Sequence, residues 1–325
     1  MSNKRDINID LMKGIAIILV IYGHSHFVPI IGKWIYTFHM PLFFFLSGCL
    51  VKNQYNIKRN VERIIFPYIS FALIMCIVTL LISFVVSKVN NQNTLLQVLE
   101  KIIYFKLNLI EAIKGNEKSL FFKTLWFLPV LFVVQTLYYY IQKELNKYIH
   151  LICCLFLLIS VFLFYNNIDL PYFIDTIFLT MPYYHCGRIF YLYRGEFKKA
   201  SIINFIFLIF IPIIIIYIMR YNVDYKYNIV PWYNHILSLM TIISIYLILY
   251  KSNIKINSIT RIGELSIFYF GLHRPFFLIY IPILNKLIKN TYIQSIFLSI
   301  ITIISIYVLL SLLGKKKNIL LGDFR

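Results

Sequence analysis

Charge is what this chain has least of: only 14% of its 325 residues are Asp, Glu, Lys or Arg, against the quarter typical of a soluble domain. That scarcity excludes an ordinary water-facing surface. Cysteine is rare and odd in number. Cys49, Cys76, Cys153, Cys154 and Cys186 lie almost entirely within apolar runs, where a free thiol behaves as a small hydrophobe. They offer neither a disulfide framework nor a zinc-ligand spacing, and no metal is expected. The sequence also lacks internal repeats, a Gly/Ser linker and a glycine fingerprint for nucleotide phosphates. Its N-terminal stretch joins a charged start to an apolar run but has no small-x-small cleavage site, so a retained first helix is expected there.

What is abundant is apolar surface, at 60% of the residues, with 18% aromatic. Long apolar segments recur at 11–27, 34–51, 64–87, 124–142, 149–164, 172–193, 201–219, 232–250, 264–284 and 292–313. A transmembrane β-barrel would show ten-residue alternation instead of continuous runs. The expected fold is all-α, a polytopic membrane helix bundle of about ten transmembrane helices. Spans of that number take up roughly two thirds of the length and leave no room for a second, soluble domain, so residues 1–325 read as a single transmembrane domain.

The balance of 32 Lys and Arg against 13 Asp and Glu would suggest nucleic acid in a soluble protein. Here it reports orientation, and no nucleic acid partner is expected. Lys4 and Arg5; Lys52, Lys58, Arg59 and Arg63; Lys143 and Lys147; Arg194, Lys198 and Lys199; Lys251, Lys255 and Arg261; and Lys315, Lys316, Lys317 and Arg325 all fall on one side of the proposed spans. The short connections opposite hold only Lys33, Arg220, Lys226, Lys286 and Lys289. The positive-inside rule then places both termini in the cytoplasm. The long connection 88–123 carries Leu95, Val98, Leu99, Ile102, Ile103, Ile110 and Ile113 near helical spacing with Lys and Glu between them. An amphipathic helix on the outer surface is expected, either as a structural cap or as a lid that gathers an anionic glycan or lipid phosphate.

Lys13, Arg188 and Arg274 remain within spans, where ionisable groups are costly and are functional candidates by default. Lys13 and His24 are eleven residues apart, about 20° from whole turns, so one face of the first helix carries a cation and, about 16 Å along it, an imidazole. Asp10 is placed to pair with Lys13. Lys13 otherwise snorkels to headgroups. A neutral His24 among apolar helices keeps one donor and one acceptor to satisfy, and it can act as a base unless it is simply a satisfied core residue. On the second helix, Phe38-His39-Met40-Pro41-Leu42-Phe43-Phe44-Phe45-Leu46-Ser47-Gly48 runs back and puts His39 near the depth of His24. Pro41 removes a backbone bond there, and Ser47 and Gly48 permit close helix approach.

Arg59 and Arg63 form an i, i+4 pair able to clamp a phosphate, although ordinary positive-inside anchoring gives the same composition. Arg188 stands at the same end of its helix and is a possible third member. Leu272-His273-Arg274-Pro275 sits near the middle of a span, lining the His24 cavity or linking helices. Trp126-Phe127-Leu128-Pro129 starts a helix at the outer interface, where Trp commonly anchors. His26, His150, His185 and His235 read as structural.

The ordered set Asp10-x-x-Lys13-Gly14-x9-His24, Phe38-His39-Met40-Pro41-Leu42-Phe43-Phe44-x-x-Ser47-Gly48, Arg59-x3-Arg63-x3-Pro67-Tyr68, Trp126-Phe127-Leu128-Pro129 and Leu272-His273-x-Pro275 resembles the acyltransferase 3 family, closest to the fucose 4-O-acetylase-like branch of membrane O-acetyltransferases. Two departures stand out. Lys13 occupies the position where the family most often has Arg, keeping the charge without the bidentate fork. No extracellular hydrolase-like domain is expected after the tenth helix.

The resemblance implies a multi-pass enzyme of the bacterial inner membrane. It would move acetyl from cytoplasmic acetyl-CoA to a sugar hydroxyl of a surface polysaccharide or its lipid-linked precursor. Membrane lipids, the acyl-CoA and that glycan are the implied partners, and nothing in the sequence signals an oligomeric state. Lys13, Arg59, Arg63 and Arg188 would hold the donor's phosphates. His24 would take the acceptor's proton, and His39 or His273 would steady the oxyanion or orient His24. Direct transfer and an acyl-histidine relay both fit. The competing readings are an exporter or flippase for a glycan or lipid-linked sugar, and an O-succinyltransferase of the same fold.

Overall fold

The first helix begins where the sequence supplies a cap. Asp6 accepts a hydrogen bond from the Asn8 N–H at 3.0 Å, satisfying one of the donors left over at a helix start. The apolar run that follows carries α1 from Ile7 to His24, and the Ser25 N–H closes it on the Tyr22 carbonyl at 3.1 Å. The computed structural model describes residues 6–25, 29–51, 55–89, 99–100, 103, 110, 125–199, 201–218 and 232–321. The elements that follow are α2 (Pro29–Cys49), α3 (Ile57–Asn60), α4 (Phe66–Val89), α5 (Phe127–Glu144), α6 (Ile149–Tyr165), α7 (Ile174–Tyr193), α8 (Ile202–Ile218), α9 (Trp232–Ser252), α10 (Asn257–Glu264), α11 (Ser266–Leu287) and α12 (Thr291–Leu313). Among the described residues there is no strand.

Each of the ten apolar segments found in the sequence is largely helical over its described residues. Among the described residues six helical stretches, Ile7–His24, Ile57–Val85, Asn146–Tyr165, Asn234–Ser252, Ser266–Leu287 and Thr291–Leu321, are long and apolar enough to cross a bilayer. Of the others, α2 and α7 are those that carry His39, and Asp175, His185 and Arg188. The chain therefore fits a multi-pass membrane protein. Leu151, Leu155, Leu158 and Phe162 of α6 and Ile293, Phe297, Ile300 and Ile304 of α12 are exposed, as lipid-facing side chains are. The predicted outer helix within 88–123 lies almost wholly outside the described residues. The helix α10 and its break at Leu265 were not anticipated.

The chain forms two compact units. The first comprises Met1–Tyr55, Leu137–Asp169 and Asp175–Ser266, and the second Asn56–Thr136, Leu170–Ile174 and Ile267–Arg325. Glycines set two close crossings in the first. A Cβ on Gly14 would stand 2.1 Å from the Ile259 carbonyl oxygen, and one on Gly263 would stand 1.8 Å from that of Asp10, so α1 and α10 touch backbone to backbone. Gly48 and Gly187 do the same for α2 and α7: an added Cβ would lie 1.9 Å from the Tyr184 oxygen in one case and 1.9 Å from the Phe45 oxygen in the other. Small residues are what permit such approach between membrane helices. Leu11, Met12, Phe38, Leu42, Phe45 and Tyr246 fill the apolar core between these contacts.

In the second unit α3 and α4 are joined by a π-helical turn, Val61–Ile65. The looser bonding coincides with Pro67, which has no N–H to give. Gly271 of α11 lies directly on the ring of Phe71 in α4, and Phe71 meets Phe268 edge-on at 6.3 Å. The short helix Gly314–Leu321 packs beside α4 and the π-helical turn.

Candidate active site

The first unit brings His24 and His39 together. The helices α1 and α2 run in opposite directions, so the last residue of one meets the third turn of the other, and the two ring centroids stand 6.5 Å apart. Tyr36 lies against both, its ring centroid 6.0 Å from that of His24. Its hydroxyl is 3.1 Å from His24 Nδ1 and 3.2 Å from the Gly23 carbonyl oxygen, and its ring is 4.8 Å from that of His39. His39 is buried, at 2% exposure, while His24 is half-buried.

The bonding of His39 settles its tautomer. Its Nδ1 is 2.9 Å from the Ile35 carbonyl oxygen, and a carbonyl can only accept. Nδ1 therefore carries the hydrogen, and the lone pair of a neutral His39 lies at Nε2. In that state Nε2 can receive a proton but cannot donate to an oxyanion.

Pro41 does remove a backbone bond, and the structure shows where the loss is met. A proline at this position leaves the carbonyl four residues earlier, that of Thr37, without its helical donor. The hydroxyl of Ser238 in α9 donates to that oxygen. The helix continues unbroken through Pro41, which holds Tyr36 and His39 on one rigid element.

At the other end of α1, Lys13 Nζ lies 3.9 Å from Asp10 Oδ1, so the predicted pairing forms at the outer limit of an ion pair. The Asp6 carboxylate accepts from the Tyr191 hydroxyl at 3.3 Å, and the Arg194 guanidinium sits 3.6 Å over the Tyr191 ring. Arg188, half-buried on α7, donates to the Val51 carbonyl at 3.5 Å, just beyond the end of α2. Lys13, Arg188 and Arg194 thus all belong to the first unit, as His24 and His39 do.

Arg59, Arg63 and His273 belong to the second unit. Arg59 and Arg63 are both exposed and close enough for their charges to repel one another, an arrangement an anion would relieve. His273 is buried, at 1% exposure. Its Nδ1 is 2.7 Å from the Phe270 carbonyl oxygen, so it too holds its hydrogen at Nδ1 when neutral, and it lies edge-on to Phe277 at 5.7 Å. Trp126 stacks on Phe173 with centroids 6.0 Å apart.

Of the histidines read as structural, His185 and His150 bond to each other, Nε2 to Nδ1, at 3.0 Å. The Tyr138 hydroxyl lies 2.9 Å from His185 Nδ1. His235 packs its ring 5.2 Å from that of Tyr183, and His26 lies outside the described residues. Among the described residues no set of three His, Cys, Asp or Glu side chains converges to hold a metal. The residue that sequence reasoning missed is Tyr36. Its only signal was its place three residues before His39, on the same helix face.

The model of an acyltransferase domain matches this sequence over residues 6–313. The chain belongs to the acyltransferase 3 family. The match takes in every part of the site described above, from the Asp6 cap to α12. Among curated proteins, this acyltransferase-family chain is 43% identical over 63 residues to the nodulation protein NolL of Sinorhizobium fredii (strain NBRC 101917 / NGR234), across 16% of this chain and 17% of that relative. It thus covers about a sixth of that relative's length. No solved structure matches.

Proposed function

We propose that this acyltransferase-family protein is a multi-pass O-acetyltransferase of the bacterial inner membrane. It would have ten spans with both termini cytoplasmic, and would acetylate a sugar hydroxyl of a surface polysaccharide or its lipid-linked precursor with acetyl from cytoplasmic acetyl-CoA. The observation that carries this reading is the His24, Tyr36 and His39 cluster at the far end of the helix that bears Lys13. Family membership supports acyl transfer, and the excess of Lys and Arg on one side of the spans supports a donor arriving from the cytoplasm.

In the proposed reaction His24 Nε2 takes the proton of the acceptor hydroxyl as its oxygen attacks the thioester carbonyl. A C–O bond forms and the C–S bond breaks. The proton passes from His24 to the departing thiolate, so the products are the acetyl ester and CoA thiol. Lys13 and Arg188 supply charge for the donor's phosphates from the first unit. In the second, Arg59 and Arg63 are a repelling pair suited to a phosphate in their own right. His39 offers a second lone pair close by, and it would stabilise an oxyanion only in its protonated form.

Membrane vesicles of inverted orientation test the reading. Labelled acetyl-CoA supplied outside them should give alkali-labile label on glycan with the full chain and none without it. Glycan translocation with no consumption of acetyl-CoA would identify an exporter instead, and transfer from succinyl-CoA alone would replace the donor.

A further inference from the structure

The Tyr36 hydroxyl meets two groups with opposite demands. The Gly23 carbonyl oxygen, 3.2 Å away, is among the last four of α1, which have no N–H partner within the helix. It can only accept, and Tyr36 has a single hydrogen to give. With that hydrogen on Gly23, the phenolic oxygen faces His24 Nδ1, 3.1 Å away, as an acceptor. The imidazole then carries its hydrogen at Nδ1 and its lone pair at Nε2.

We propose that Tyr36 is the positioning residue of this site, fixing His24 in the tautomer and orientation its work as a base requires. The inference rests on the reading of His24 as that base. Tyr36 does not touch the reacting atoms. When His24 receives the acceptor's proton at Nε2, its Nδ1–H stays on the Tyr36 oxygen, the phenol remains neutral, and the same proton leaves from Nε2 to the thiolate. A carboxylate could orient the ring equally well, but at the cost of a charge inside an apolar bundle. A phenol anchored on a helix-end carbonyl orients it without one. The anchor is rigid, because Tyr36 is 8% exposed and sits edge-on to His39 with ring planes at 75°.

The test is a double-mutant cycle in inverted vesicles containing the full chain, with labelled acetyl-CoA and the cells' own glycan, normalised to protein in the membrane. Tyr36→Phe should lower the maximal rate about tenfold or more and leave the half-saturating acetyl-CoA concentration within about twofold. In the His24→Ala background the same change should lower the residual rate no further. A Tyr36→Phe rate equal to wild type overturns the proposal, as does an equal fractional loss in both backgrounds, which marks a purely structural role. Full activity in His24→Ala alone overturns the underlying reading, a distinct outcome. If Tyr36→Phe fails to accumulate, 3,5-difluorotyrosine at position 36 keeps the ring and hydroxyl but weakens the oxygen as an acceptor. A several-fold lower rate then supports the proposal and an unchanged rate overturns it.

Discussion

His24 combines three properties at one position: a half-buried imidazole, an Nδ1 tied to a hydroxyl, and a place on the helix that also bears Lys13. His24→Ala should lower acetylation at least about 100-fold, the contribution a positioned base commonly makes, with the protein still inserted in the membrane. The readout is acetyl-ester content of the surface polysaccharide by mass spectrometry, and wild-type content would remove His24 from the reaction. On the proposed reading Lys13 would act through its charge at the opposite end of α1. Lys13→Arg should therefore keep acetyl-CoA half-saturation near wild type while Lys13→Ala raises it several-fold, and identical values for the two would remove Lys13 from the donor site. The juxtaposition of His24 and His39 was legible in the sequence, because antiparallel helices at 1.5 Å per residue put the two at one depth. Tyr36 was not, because it is one of 26 tyrosines and only the path of α2 past the end of α1 gives its hydroxyl a role.

At the scale of the helices, the site depends on how α2 is held. Pro41 strips the Thr37 carbonyl of its helical donor and Ser238 of α9 replaces it, so the two residues form one device separated by 197 positions in sequence. Ser238→Ala alone should cost about 1–3 kcal/mol, the penalty for a buried acceptor left without a donor. In a Pro41→Ala background, where the N–H returns, the same substitution should cost clearly less. Thermal unfolding of the four proteins in one detergent measures this coupling, and strictly additive losses would contradict it. The α2–α7 crossing is equally specific. Gly187→Ala places a Cβ 1.9 Å from the Phe45 carbonyl oxygen, backbone that cannot swing aside as a flexible side chain can. It should lower the unfolding temperature and reduce acetylation together, because α2 carries His39. The sequence pointed to close approach at Ser47 and Gly48, but the partners Tyr184 and Gly187 are more than 130 residues away, beyond any local pattern.

For the molecule as a whole, a charged fraction of 14% pointed to the membrane, and continuous apolar runs in place of the ten-residue alternation of a barrel pointed to helices. Over their described residues the ten apolar segments are largely helical. The buried His39, Asp175 and His185 lie on α2 and α7, neither of which is among the six stretches long and apolar enough to cross a bilayer. The break at Leu265 stayed hidden because it falls just inside the apolar segment 264–284, after a connection read from Lys251, Lys255 and Arg261. The proposed placement of both termini in the cytoplasm predicts that a C-terminal green fluorescent protein fluoresces and that alkaline phosphatase fused there is inactive, while phosphatase fused after Lys226 is active. The reverse pattern would invert the proposed direction of transfer. The most direct measurement of all follows labelled acetyl from acetyl-CoA on the cytoplasmic face into alkali-labile ester on glycan. Wild-type chain should transfer it and His24→Ala chain, inserted at equal level, should not. Equal transfer by both, or glycan movement with no acetyl-CoA consumed, would contradict a membrane acetyltransferase that works through His24.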